Sequence, residues 1–156
     1  MTIEKLQKGE NAPVFELQNQ NGQVFSFKGP LARPAIIYFF PAAGSPGCTK
    51  EAADFQDHIE EFNAAGYEII GISPDPVERL KDFQEAHELT FDLLSDPDMK
   101  VHKLYGAFGE KSIYGRLYKG VLRSTMIIDS QAKIQEALYN VKATGHTQML
   151  LRKITS

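Results

Sequence analysis

The chain of 156 residues has one cysteine and no tryptophan. One cysteine cannot close an internal disulfide or build a four-thiolate zinc site, so a disulfide framework and a cysteine-only metal centre are excluded. A basic surplus is also missing. Lys and Arg number 17 against 20 Asp and Glu, for a formal net charge of −3. Without a basic balance or stripe, nucleic-acid binding is not expected. No apolar run approaches the ~18 residues needed to cross a bilayer. The longest, Pro34 to Ala43, reads as a buried strand running into a loop. Met1 to Glu10 lacks the apolar core of a secretory signal. Repeats, low-complexity stretches and linkers are absent as well. What remains has 42% hydrophobic and 24% charged residues, close to globular averages. The expectation is one soluble, cytoplasmic domain spanning 1–156.

The apolar pattern alternates between strand and helix periods. Val14, Phe15 and Leu17 precede Asn21-Gly22, and Val24, Phe25 and Phe27 follow it, which predicts a hairpin. Ala35 to Phe40 is continuous and β-rich, as in a central strand covered on both faces. Pro41 ends it, and a short loop leads into a helix carrying Phe55, Ile59 and Phe62, stopped by Gly66. Tyr67–Ser73 predicts a second buried strand, Val77–His87 a helix, Phe91–Leu94 a short strand and Asp98–Tyr105 a short helix. Gly106–Gly120, with four glycines and many charges, reads as a long loop. Ser124–Asp129 and Ile134–Val141 predict two more strands, and Gly145–Ile154 a closing helix. This order implies an α/β three-layer sandwich around a central mixed sheet, with an N-terminal β-hairpin. A strand followed by a helix with cysteine in its first turn is the thioredoxin-like arrangement.

The residues before Cys48 read as a helix start. Ser45 is a good N-cap, Pro46 fits the first helical position, and Gly47 lets backbone approach closely. Cys48 then falls at N3. Backbone N–H groups and the helix dipole favour an anion there, hence the thiolate over the thiol. The plain alternative is a buried, inert cysteine acting as a small hydrophobe. The cap, the proline, the glycine and nearby Lys50 weigh against that.

Pro41-Ala-Ala-Gly-Ser45-Pro46-Gly47-Cys48-Thr49-Lys-Glu51 resembles the peroxiredoxin signature Pro-x-x-x-Thr/Ser-x-x-Cys. The Pro-Gly-Cys-Thr-x-Glu form is similar to the peroxiredoxin Q, or bacterioferritin comigratory, branch. The likeness extends through Ala12-Pro13-x-Phe15-x-Leu17, Gly71-Ile72-Ser73, Leu94-Ser95-Asp96, Gly109-Glu110-Lys111-Ser112 and Gly120-Val121-x-Arg123-Ser124-Thr125. It implies a thiol peroxidase acting on hydrogen peroxide and small organic hydroperoxides. Cys48 would be the peroxidatic cysteine, oxidised to a sulfenic acid. Pro41 would shield it. Ser45 would hold the hydroxyl position usually filled by Thr. Arg123 would pair with the thiolate and steady the peroxide. No metal, haem or flavin is implied.

The chain departs from the branch in one respect. The usual resolving positions, five residues after Cys48 or on the following helix, hold Ala53 and Gln84. An external thiol must therefore reduce the sulfenic acid: thioredoxin, glutaredoxin or a low-molecular-weight thiol. A monomer is expected, with a weak two-fold dimer as the alternative. Two rival functions stay open at this point. One is a disulfide reductase, which the missing Cys-x-x-Cys opposes. The other is a non-catalytic redox sensor or interaction module on the same fold.

Other signals carry less. Gly106-Ala-Phe-Gly109-Glu-Lys111 lacks the Lys that follows the second Gly of a phosphate loop. Asp96-x-Asp98-x-Lys100 fails as a calcium loop at its fifth position. His58, His87, His102 and His146 read as ordinary helix or surface residues. Glu60-Glu61 and the acids from Glu85 to Glu88 read as solvated helix faces. Arg116 and Lys119 read as solvated loop residues, and Phe39, Phe40 and Phe55 as core.

Overall fold

The computed structural model describes residues 5–155. Seven strands form one mixed sheet in the order β2-β1-β5-β4-β3-β8-β9. They are β1 (Phe15–Asn19), β2 (Val24–Phe27), β3 (Ala35–Phe39), β4 (Glu68–Ser73), β5 (Asp92–Ser95), β8 (Ser124–Ile128) and β9 (Ile134–Leu138). The central strands β3, β4 and β5 run parallel. The flanking pairs β1–β2, β1–β5, β3–β8 and β8–β9 run antiparallel. The predicted Asn21-Gly22 hairpin is present, with Phe15 opposite Phe27 and their rings stacked at 5.5 Å.

β3 shows why the sheet sits in the middle. All five of its residues are buried, and the pleat sends alternate side chains to opposite faces. Ile36 and Tyr38 join Phe40 in one apolar cluster, while Ala35, Ile37 and Phe39 join the other. Helices α1 (Pro46–Asp57), α2 (Ile59–Ala64), α3 (Val77–Ala86) and α5 (His146–Thr155) cover the first cluster through Phe55, Phe62, Leu80, Phe83 and Leu150. Helix α4 (Lys100–Leu104) covers the second through Val101. The result is the expected three-layer α/β sandwich of thioredoxin-like type.

Two expectations fail. Residues 106–120 are not a loop. They form a hairpin of β6 (Phe108–Ile113) and β7 (Arg116–Val121), paired from Phe108 opposite Val121 to Ile113 opposite Arg116. Tyr114 and Gly115 form its turn with φ of 52° and 77°. Positive φ at both central residues is the requirement of a two-residue hairpin turn. The strands escaped the hydrophobic pattern because the hairpin is a separate two-stranded sheet. From Arg116 to Lys119 its second strand is solvent-exposed, so no buried face enforces alternation. The helix after Cys48 is also interrupted. His58, at φ −113° and ψ 15°, separates α1 from α2. Its N–H bonds back to Phe55 O at 3.2 Å, a three-residue step that tightens the last turn.

Candidate active site

Cys48 is placed by local chemistry that the sequence states openly. Ser45 is the N-cap of α1, with extended φ −69° and ψ 152°. Its Oγ accepts from the Cys48 N–H at 3.4 Å and donates to Ala42 O at 3.0 Å. Pro46 occupies the first turn, where a missing N–H breaks no bond. Cys48 therefore sits at N3 and is 1% exposed. Pro41 stands half-buried at the start of the same loop.

Arg123 reaches this turn from the opposite side of the chain. It lies in the short joint between β7 and β8. Its carbonyl accepts from Val141 N–H at 2.8 Å, which fixes the backbone. Its guanidinium then serves two groups. Nη2 donates to Cys48 Sγ at 3.5 Å, and Nη1 donates to Glu51 Oε1 at 2.6 Å. Planar guanidinium suits such a double contact. Gly47 leaves room for it: a Cβ there would lie 3.1 Å from Arg123 Nη2.

The sequence reading assigned Glu51 no role. It is fully buried, and its Oε2 has no hydrogen-bond partner among the described residues. Burial pushes its carboxyl up to about 7, against the opposing pull of Arg123. Burial works against charge on Arg123 too, but Glu51 and Cys48 outweigh it and hold the guanidinium more firmly charged than usual. The signal that could have found Glu51 is its spacing. Residues three apart share a helix face, so an acid at that offset from Cys48 faces whatever cation approaches the sulfur.

Other buried polar groups lie near the site or elsewhere in the core. Tyr38 lies flat on Phe55 at 4.6 Å between ring centres. Burial, with Glu51 and Cys48 nearby, holds its phenol well above the usual range, so it is neutral. His146 begins helix α5. It is buried, with Nε2 2.7 Å from Thr125 Oγ1. Burial, then the Arg123 charge, pulls it down to about 4. His102 is buried as well, with Nδ1 2.6 Å from Asp96 Oδ2. Both positions looked polar in sequence, but each found a buried oxygen partner. Asp75, also unnoticed, anchors the loop before Cys48. Its Oδ2 accepts from Ala43 N–H at 2.7 Å and from Ser73 Oγ at 2.8 Å. Arg116 and Lys119 are solvent-exposed, on strand β7 rather than in a loop.

Ala53 lies half-buried on α1 and Gln84 half-buried on α3. Cys48 is the one cysteine of the whole sequence. Among the described residues, no group of three or more His, Cys, Asp or Glu side chains could hold a metal ion.

Known proteins resemble this arrangement along nearly the whole chain. Residues 8–137 match the model of the AhpC/TSA family. The chain is 48% identical over 151 residues to a putative peroxiredoxin of Mycobacterium tuberculosis, covering 97% of this chain and 96% of that one. It is 36% identical over 146 residues to peroxiredoxin Bcp of Escherichia coli, covering 94% of each. Its fold matches that of the Xanthomonas campestris bacterioferritin comigratory protein with a TM-score of 0.83 and 29% identity, over 90% of this chain and 89% of that one. Alkyl peroxide reduction activity is described for that Xanthomonas protein.

Proposed function

The chain belongs to the AhpC/TSA family, and from that membership we infer how the residues around Cys48 divide the work of peroxide reduction. The protein is a thiol peroxidase of the peroxiredoxin Q, or bacterioferritin comigratory, branch. Cys48 is the group that reacts. Its thiolate attacks the terminal oxygen of a hydroperoxide. The S–O bond forms, the O–O bond breaks, and the leaving alkoxide takes a proton to become the alcohol, or water from hydrogen peroxide. The sulfur is left as a sulfenic acid.

The observation that carries this reading is the contact of Arg123 Nη2 with Cys48 Sγ at 3.5 Å in a buried first turn. Displacement at oxygen moves negative charge from sulfur to the leaving oxygen. A fixed guanidinium already beside the sulfur can follow that charge without reorganising. Glu51 acts through Arg123 by holding its other nitrogen. Ser45 supports the turn through its cap, and its hydroxyl lies on the Cys48 side of the loop. Pro41 closes the start of that loop against water. The substrates in this reading are hydrogen peroxide and small alkyl hydroperoxides. The working unit is one domain over 1–156 and a monomer, placed in the cytoplasm, where thiols are kept reduced.

Intact mass spectrometry tests the reading. One equivalent of peroxide is expected to add one oxygen to the native chain and none to Cys48→Ser. Arg123→Lys is expected to slow that addition by about thirtyfold or more, about 2 kcal/mol, less than the loss of a charge-stabilising donor outright because lysine keeps the charge. An Arg123→Lys protein that reacts at the native rate would make the residue structural.

A further inference from the structure

His146 is a buried imidazole that the peroxidase steps above leave unused. Its Nε2 lies 2.7 Å from Thr125 Oγ1, and Thr125 is buried as well. Thr125 sits two residues after Arg123, on β8, directly opposite Tyr38 of β3. Opposite residues share a face of the sheet, and Tyr38 belongs to the apolar cluster that holds Cys48. The His146–Thr125 pair is therefore a polar bond on the Cys48 side of the sheet. Burying an imidazole there costs free energy, and two apolar side chains would fill the same space. What a hydrogen bond adds is a fixed direction.

That direction bears on the connection from β9 to α5, which is tied twice to the chain around Arg123. Val141 N–H donates to Arg123 O at 2.8 Å, and five residues later His146 meets Thr125. Between the two ties lies Ala143. Its Cβ is 3.9 Å from the point where a Cβ on Gly47 would stand, and Arg123 Nη2 is 3.1 Å from that same point. The Ala143 methyl, the turn before Cys48 and the guanidinium thus close around one spot. The Arg123 charge also reaches the imidazole. Burial, then that charge, pulls His146 down to about 4, so the ring is neutral at neutral pH and sets no second cation beside the guanidinium.

We propose that His146 is a positioning residue for peroxide reduction: through Thr125 it holds the Val141–His146 connection, and with it Ala143, against the turn where Arg123 Nη2 meets Cys48 Sγ. The proposal rests on the peroxidase reading above. The imidazole makes and breaks no bond to the substrate. It acts on Arg123, by limiting how far the guanidinium can swing from the sulfur.

Quenched-flow intact mass spectrometry measures the rate at which Cys48 gains oxygen from hydrogen peroxide. Thr125→Val and His146→Leu are each expected to slow that gain about tenfold, within the scale of small misplacements at a reacting centre. Valine keeps threonine's branched shape, so Thr125→Val carries the test if His146→Leu does not fold. The double variant is expected to lose no more than either alone, because the two side chains make one bond. His146→Gln, whose amide can still bond Thr125 Oγ1, is expected to recover most of the rate. In an Arg123→Lys background, Thr125→Val is expected to cost almost nothing further, since the group being positioned is gone. A native rate in Thr125→Val overturns the proposal. So does a Thr125→Val loss of equal size in the Arg123→Lys background, or a His146→Gln protein as slow as Thr125→Val. Failure of the native Cys48 to gain oxygen at all sinks the peroxidase reading instead.

Discussion

Arg123 divides its terminal nitrogens between a thiol sulfur and a buried carboxylate. That division depends on a neighbour with no side chain at all. Gly47 lies where a Cβ would stand 3.1 Å from Nη2 and 3.9 Å from Ala143 Cβ. The guanidinium cannot easily retreat, because Glu51 holds its other end at 2.6 Å. Gly47→Ala is therefore expected to push Nη2 away from Cys48. A small displacement of a group beside the reacting sulfur costs rate, and we expect about a tenfold slower oxidation of Cys48. Stability should change by less than about 1 kcal/mol, since the helix start tolerates alanine. A stopped-flow measurement of oxidation beside a denaturant curve separates the two effects. An unchanged rate would mean that the guanidinium has another resting place.

The elements differ in how openly the sequence announces them. β3 was legible because it is buried on both faces, leaving an unbroken apolar run from Ala35 to Phe40. The start of α1 was legible because capping is local: Ser45, Pro46 and Cys48 sit in adjacent positions and need no distant partner. The approach of Arg123 was reachable only through family likeness, since 75 residues separate it from Cys48. The β6–β7 hairpin was not legible, because its pairing buries too little to imprint a pattern. Nor was the crossing of Tyr38 over β4. Its ring lies where a Cβ at Gly71 would meet Cε1 and Cζ, both at 3.0 Å, with Leu93 Cδ2 also at 3.0 Å. Stacking on Phe55 keeps the ring from moving off. Gly71→Ala is thus expected to overpack the core and lower stability by about 1–3 kcal/mol. Thermal unfolding reads this directly, and a stability equal to the native protein's would show that Tyr38 can slide.

At the scale of the whole molecule, two buried groups give stability opposite slopes with pH. Glu51 has a folded pKa of about 7, above its ordinary 4.5. Between those values the folded state holds a proton that the unfolded chain has lost, so stability falls as pH rises. His146 has a folded pKa of about 4, below its ordinary 6.5. Between those values the unfolded chain holds the extra proton, so stability rises with pH. The windows overlap from roughly 4.5 to 6.5, and the two slopes largely cancel there. Glu51→Gln should uncover the rise, and His146→Gln the fall. Each contribution is on the order of 3 kcal/mol across its window. Denaturant curves at several pH values measure both. Matching slopes in the native protein and both variants would contradict the assignment.

Among the described residues the β6–β7 hairpin pairs only with itself, and it carries a fully exposed Tyr114 at its tip. A lone two-stranded hairpin is marginally stable in water. Its second strand ends at Val121, and Leu122 alone separates that end from Arg123. Fraying of the hairpin therefore reaches Arg123, and its contact with Cys48, before the seven-stranded sheet begins to open. Heat should silence the enzyme while its circular dichroism is still native, and cooling from that point should restore activity without refolding. Coincident loss of activity and secondary structure would mean that the hairpin melts with the core. If the two separate, the protein carries a reversible thermal cutoff set by its smallest sheet.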